Sequence, residues 1–208
     1  MNAALDLSRL PLDLPPAPGE ARRRTLGGVT LGDDAVERFN QLLARIAPGA
    51  PRICADQLVT LGRWLQSLPA ERAQAILAER LTRADQLRAM LEDRDWDVAG
   101  DIREHGRLLV GYLCEVHDLI PDDQPLLGLL DDALLVDLCW DAFAGEAQDY
   151  GDFCRFRDSE RPRGTPAERR QAWENACLAE AALLQQRRDV RARRYAGGQP
   201  LPALFRVG

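Results

Sequence analysis

The chain has 208 residues, which is enough for one helical domain with a sizeable core and too few for two large domains. Its formal net charge of -6 argues against a general nucleic-acid-binding protein, because neutralising phosphates requires a basic surface. All of its cationic side chains apart from two histidines are arginines, so chemistry that needs a lysine, such as Schiff-base formation or a phosphate-binding loop, is excluded.

Residues 1–32 are predicted to form an extended arm. They contain Pro11, Pro15, Pro16 and Pro18, a run of three arginines, and the glycines Gly27, Gly28 and Gly32, and together these break any helical period. A short β-strand between Thr25 and Leu31 is the only β-structure that we expect. The rest of the chain lacks an alternating run of β-branched residues long enough for a strand.

Helical periodicity begins near Asp34. Apolar residues recur at spacings of three and four over 36–46 and again over 58–68, and the segment 48–51 with its two prolines separates the two runs. Pro69 is typical of the first turn of a third helix. Three capping-box patterns mark further starts: Asp34 with Glu37, Thr82 with Asp85, and Thr165 with Glu168.

The second half of the helical region contains the most apolar segments. A fifth helix is predicted over about 98–117 and a sixth over about 126–143, the sixth being apolar on more than half of its circumference and therefore the most buried. A short helix around Tyr150 and a last one from Thr165 to Arg193 complete the pattern. The prediction is an all-α single domain of about seven to eight helices over 33–195, with a tail at 196–208.

The fifth and sixth helices are joined by an acidic, proline-punctuated segment, residues 118–132, called here the acidic turn. It contains Asp118, Leu119, Ile120, Pro121, Asp122, Pro125, Gly128, Asp131 and Asp132. This order of aspartate, proline and glycine resembles the core of the YkvA-like family, a bacterial domain of unknown function. The resemblance implies a shared core over about 105–143 and assigns no activity.

The aspartates of the acidic turn allow three interpretations. In the first, Asp118 and Asp131 cap backbone amides while the prolines stiffen a crossover between the two helices. In the second, Asp118, Asp122, Asp131 and Asp132 converge as hard oxygen ligands for Mg²⁺, Mn²⁺ or Ca²⁺, because crowded carboxylates repel one another unless a cation neutralises them. In the third, they form a surface on which another protein docks.

Few residues are available for catalysis. The chain has two histidines and three serines, and none falls in a known catalytic motif. A nucleophilic pair of Cys114 and His117 can be drawn, but no orienting group or oxyanion pocket accompanies it. We therefore favour a non-catalytic interaction or adaptor module with an unknown protein partner over the alternatives, a divalent-metal-dependent hydrolase and a peripheral membrane protein.

The cysteines indicate a reducing compartment. There are five, an odd number, and they are widely spaced within apolar or helical runs, so we expect buried free thiols and a cytoplasmic protein. No signal peptide is expected at the N-terminus. The longest apolar runs are far shorter than the ~20 residues that span a membrane.

The charge is distributed unevenly. No arginine occurs between Leu108 and Phe153, whereas the last helix ends in a cluster of arginines. Arg187, Arg188 and Arg191 are candidate partner-binding residues for an acidic surface, which would be either the acidic turn or another protein. The alternative is a favourable interaction with the helix dipole. Nucleic acid is disfavoured because no aromatic residues alternate with these arginines.

Overall fold

The computed structural model describes Leu10 and residues 23–115, 119–121 and 123–196, with side chains described as far as residue 192. Within this part of the chain the architecture is α-helical, as the sequence predicts, and the one sheet is a two-stranded hairpin. Its strands are β1 (Thr25–Leu26) and β2 (Val29–Thr30), which pair antiparallel. They lie where a scrap of strand is expected.

Seven α-helices follow in the described residues. Their bounds are α1 Asp33–Ile46, α2 Ala55–Ser67, α3 Ala70–Glu92, α4 Gly100–Tyr112, α5 Leu130–Cys139, α6 Ala144–Glu160 and α7 Pro166–Ala196. Two short 3-10 helices flank α5, at Leu127–Leu129 and Trp140–Ala142. The chain forms two compact units, Met1–Gly151 and Asp152–Gly208, and the boundary falls inside α6.

The first unit is built around α5. Nine of its ten residues are buried, and α5 contacts α1, α3 and α4. This confirms the prediction that the helix after the acidic turn is the most buried. The predicted helix over 126–143 is nevertheless divided, because both ends take the tighter 3-10 geometry and α5 itself has only ten residues.

The β-hairpin packs against α2. Leu26 and Leu31 are buried, and Leu26 contacts Gly62 so closely that a Cβ placed on Gly62 would lie 2.6 Å from Leu26 Cδ1. Gly27 and Gly28 form the turn of the hairpin with positive φ angles of 59° and 88°, which favour glycine. A Cβ on Gly27 would also meet Leu127 Cδ1 at 2.8 Å. The hairpin therefore fits closely between α2 and the acidic turn.

Two of the three predicted capping boxes are absent. Thr82 and Asp85 lie in the middle of α3, which is continuous, and the Thr82 hydroxyl donates to the carbonyl of Ala78 inside the helix at 2.9 Å. Helix α1 begins at Asp33 after Gly32, and the carboxylate of Glu37 instead pairs with Arg52.

The second unit contains the predicted capping box. The carboxylate of Glu168 accepts hydrogen bonds from the Thr165 amide at 2.7 Å and from its hydroxyl at 3.0 Å, and these bonds lower the pKa of Glu168. Pro166 is the first residue of α7, as predicted. The ring of Phe153 meets that of Trp173 edge-on, with centroids 6.0 Å apart, so these two residues join α6 to α7 within this unit.

Candidate functional site: the acidic turn and the exposed last helix

Asp131 links the two helices on either side of the acidic turn. It lies in the first turn of α5 and is fully buried. Its Oδ2 accepts hydrogen bonds from the hydroxyl of Tyr112 at 2.9 Å and from the amides of Leu119 at 3.0 Å and Ile120 at 3.1 Å. Since Tyr112 is the last residue of α4, one carboxylate oxygen joins the end of α4, the turn and the start of α5. It satisfies backbone amides that have no helix or strand partner.

The environment of Asp131 raises the pKa of its carboxyl group towards neutral pH. Burial raises the pKa of Asp131 to about 6, while the hydrogen bonds from Tyr112, Ile120 and Leu119 oppose this shift. Its second oxygen, Oδ1, is buried and has no hydrogen-bond partner in the described part of the chain. The carboxyl group therefore has one fully engaged oxygen and one that receives no donor.

The acidic turn contains a strained γ-turn. Leu126 has φ 67° and ψ -43°, and the amide of Leu127 donates to the carbonyl of Pro125 at 2.8 Å. A γ-turn with positive φ is rare and unfavourable for a residue with a side chain. The surrounding contacts must hold it in place, and Leu127 is buried immediately after it.

A small cavity adjoins the buried carboxylate. It has a volume of about 220 Å³ and is lined by Ala35, Arg38, Phe39, Leu42, Tyr112, Glu115 and Leu119. The rings of Phe39 and Tyr112 meet edge-on with centroids 5.8 Å apart. Because Tyr112 and Leu119 both donate to Asp131, two walls of the cavity are fixed by that carboxylate.

A larger cavity of about 510 Å³ lies beside the β-hairpin, and several of its polar groups are engaged with one another. Arg24 pairs with Asp33 at 2.6 Å, and the amide of Arg23 donates to Asp56 at 3.2 Å. Asn40, on the same wall, exchanges two hydrogen bonds with the backbone of Ile53. These contacts stabilise the cavity wall, and they do not indicate a ligand.

The predicted metal ligands are only partly described. Asp131 and Asp132 are adjacent and buried in α5, whereas Asp118 and Asp122 lie outside the described residues. Among the residues that the structure describes, no group of three or more histidine, cysteine or acidic side chains could hold a metal ion. The four-carboxylate site stays a prediction.

The predicted partner-binding arginines lie on an exposed part of α7. The side chains of Arg187, Arg188 and Arg191 are all exposed to solvent. The same helix exposes four large apolar side chains that the sequence analysis did not single out: Leu178 (68%), Leu183 (56%), Leu184 (46%) and Val190 (45%). The sequence shows them as apolar residues within a polar helix, but their spacing does not reveal whether they are buried or exposed. Pairing of these arginines with acids of the first unit stays a prediction.

The prediction that all five cysteines are buried is wrong. Cys54, Cys114 and Cys177 are exposed, Cys154 is intermediate, and Cys139 alone is buried. Cys114 follows the end of α4, where the helix no longer directs residues to the core. Burial raises the pKa of the Cys139 thiol to about 12. The proposed partner of Cys114, His117, lies outside the described residues, and His105 is half-buried in α4.

Comparison of the chain with protein families, with curated proteins and with solved structures found no match. The resemblance of the acidic turn to the YkvA-like family therefore rests on the turn alone. Among the described residues, no helix has both the length and the apolar character needed to cross a membrane.

Proposed function

We propose that this chain is a non-catalytic interaction module that binds an acidic protein partner through α7. The observation that carries the proposal is the exposure of four large apolar side chains on the helix that also carries the arginine cluster. On the face of α7 that carries Arg188 and Arg191, the exposed Leu184 places an apolar side chain beside positive charge, a combination typical of protein contact sites. The centre of this surface is residues 184–191 of α7.

The spacing on α7 defines the chemistry of the partner. Leu184, Arg188 and Arg191 stand at positions i, i+4 and i+7, so they share one face of the helix. Arginine binds carboxylates through a planar pair of donors, and the leucine adds apolar contact. The partner surface therefore carries aspartate or glutamate around an apolar depression.

Two features support the non-catalytic part of the proposal. The buried carboxylate Asp131 is engaged by Tyr112 and two backbone amides, which is a structural task. The buried thiol of Cys139 stays protonated at physiological pH because its pKa is about 12. A YkvA-like assignment and a cytoplasmic location belong to this proposal as well.

A photo-crosslinking experiment tests the interaction. A benzophenone amino acid placed at position 184 of the full chain, in its native host, is expected to give a discrete adduct with another protein. Charge reversal at Arg188 and Arg191 to glutamate should lower the yield at least fivefold, because the attraction to the acidic partner becomes repulsion. The adduct should also weaken as ionic strength rises.

Two controls make the experiment decisive. Charge reversal at Arg45 and Arg107, two exposed arginines of the first unit, should leave the adduct unchanged. A probe at Leu129, an exposed leucine of the first unit, should not give the same adduct. An adduct that is insensitive to reversal at Arg188 and Arg191 would contradict the proposal, and binding to anionic lipid vesicles instead would favour the peripheral-membrane alternative.

A divalent cation at the acidic turn is the second candidate. One observation favours it: the buried Oδ1 of Asp131 receives no hydrogen bond, and a cation is one group that could meet it. Addition of Mg²⁺, Mn²⁺ or Ca²⁺ would then raise the melting temperature, since a ligand that binds only the folded state stabilises it. The same addition should leave the Asp131→Asn variant unchanged.

A further inference from the structure

Most of α7 is exposed on every side. The side chains of residues 174–192 are all exposed to solvent, and the half-buried residues of this helix that the structure describes lie before them. Trp173 is one of these, where its ring meets that of Phe153 in α6. Most of the stability of a helix in a protein comes from packing an apolar face against a neighbour, and a helix alone in water is marginal. An exposed helical stretch of this length, with leucine and valine on its surface, therefore indicates a partner outside the single chain.

One side of this stretch has the spacing of a helix that pairs with another helix. Ala176, Ala179, Leu183, Gln186 and Val190, called here the α7 stripe, follow one another at intervals of three and four residues. These intervals keep the stripe on one side of the helix over about four turns. Leu183 and Val190 are large, exposed apolar side chains, and the two alanines leave room for the backbone of a second helix. Gln186 is a single polar residue of the kind that fixes the register of paired helices.

The charged residues beside the α7 stripe indicate that the partner is a second copy. Glu180 follows Ala179 and Arg187 follows Gln186, so both border the same side of the stripe, two turns apart. When two copies of α7 run antiparallel, these bordering sides face each other, and two-fold symmetry brings Glu180 of each copy to Arg187 of the other. A parallel pair would instead bring the arginines of both C-terminal ends together, and like charges would repel. The charges are therefore complementary in the antiparallel arrangement.

We propose that α7 pairs antiparallel with α7 of a second copy of this chain, through the α7 stripe and through ion pairs between Glu180 and Arg187. Leu184, Arg188 and Arg191 lie roughly a third of a turn away from the stripe, so they stay exposed in the pair. The acidic partner of the proposed function would use that outer face. The two proposals involve different faces of α7, and either can fail without the other.

Sedimentation equilibrium of the full chain tests whether the pair forms. At protein concentrations up to about 100 µM we expect a species of twice the mass of the chain, because a micromolar dissociation constant suffices for it. The substitution Leu183→Asp places a charge in the α7 stripe and should weaken self-association at least tenfold. Leu178→Asp is the matched control: it changes another exposed leucine of α7 that lies outside the stripe, and it should leave self-association unchanged.

Charge reversal tests the antiparallel arrangement. Glu180→Arg alone and Arg187→Glu alone each turn both ion pairs into contacts between like charges, so each variant should self-associate at least tenfold more weakly. An equimolar mixture of the two variants should pair again, because every contact across the mixed pair joins opposite charges. A defect in folding could not produce this recovery. Glu174→Arg is the control, since it makes the same change away from the stripe and should not alter self-association.

Three results would overturn the proposal. The first is a monomer at every concentration of the unsubstituted chain. The second is self-association that persists unchanged in the Leu183→Asp and Glu180→Arg variants, because it would then use another surface. The third is a mixture of the Glu180→Arg and Arg187→Glu variants that stays monomeric.

Crosslinking from position 184 separates this inference from the proposed function. A monomeric chain that still gives the adduct with another protein would remove the α7 pair alone. A chain that pairs through α7 and gives no such adduct would remove the proposed function alone.

Discussion

The hydroxyl of Tyr112 and the carboxylate of Asp131 lie 2.9 Å apart in the interior of the first unit. The two residues are the last of α4 and the second of α5, so their hydrogen bond closes the base of the acidic turn. The same carboxylate oxygen accepts the amides of Leu119 and Ile120. A single buried side chain therefore fixes the position of Leu119 and Ile120 in the acidic turn.

Replacing Tyr112 with phenylalanine tests that hydrogen bond. The ring and its contact with Phe39 remain, while Asp131 loses one of three donors. We expect the free energy of unfolding to fall by about 1.5–3 kcal/mol, the range for hydrogen bonds to a charged group. Urea denaturation measures it. Tyr150→Phe is the matched control: its hydroxyl bonds Asp93 in a partly buried setting, so its loss should be smaller.

The raised pKa of Asp131 makes stability depend on pH. The group ionises at about 6 in the folded chain against 3.8 for an unperturbed aspartate, so the folded chain holds more protons between these values. Stability attributable to this group therefore falls as the pH rises from about 4 to 6, and the loss is complete above that window. A shift of this size corresponds to a loss on the order of 3 kcal/mol.

Asp131→Asn is the variant that isolates this effect, since it keeps the shape and cannot ionise. The difference in unfolding free energy between variant and unsubstituted chain should change by about 2–3 kcal/mol between pH 4 and pH 7, in favour of the variant at the higher pH. Asp149→Asn, at an exposed position, should show no such change. A constant difference across this range would contradict the assignment of the titration to Asp131.

Gly62 is a position where a single methyl group should disturb the core. A Cβ there would lie 2.6 Å and 2.7 Å from the two terminal carbons of Leu26, inside the contact between α2 and the β-hairpin. We expect Gly62→Ala to lower the melting temperature, with a destabilisation of about 1–3 kcal/mol from overpacking. Gly111→Ala is the control, because nothing lies within 4 Å of its added Cβ. Alanine should stabilise α4 there by up to about 1 kcal/mol.

Thiol labelling in the native state should distinguish the cysteines. Cys54, Cys114 and Cys177 are exposed and should react within the rate range of free peptide cysteines, whereas Cys139 should react only in denaturant. Mass spectrometry after a short pulse of reagent identifies the labelled sites. Rapid native labelling of Cys139 would show that α5 opens readily, against its position at the centre of the first unit.

The features that the sequence predicts well are those encoded by neighbouring residues. The capping box of Thr165 and Glu168 forms because a loop precedes the helix and Pro166 is its first residue, so the motif has free amides to satisfy. The same pattern at Thr82 fails because the preceding residues are already helical, and the hydroxyl finds a carbonyl one turn back. A local motif therefore predicts a helix start only where the chain before it cannot continue the helix.

The features that the sequence could not predict depend on distant contacts. Leu10 and Asp137 are in contact although they are 127 residues apart in the sequence, and no spacing rule connects them. Capping of backbone amides by Asp131 is one of the interpretations that the sequence allows. Its donors Leu119, Ile120 and Tyr112 could not be predicted, because they depend on the path of the acidic turn. The resemblance to the YkvA-like family describes the residues of this turn and is silent about these partners.

Two backbone amides of the acidic turn donate to the side chain of Asp131 in α5, and this affects how fast they exchange with solvent. Leu119 and Ile120 lie outside regular secondary structure, and residues in such positions usually exchange their amide hydrogens quickly. Here the acceptor belongs to α5, and the Asp131 side chain is inaccessible unless that helix separates from its neighbours. These two amides should therefore exchange together with those of α5, as one cooperative opening unit that extends from the helix into the loop.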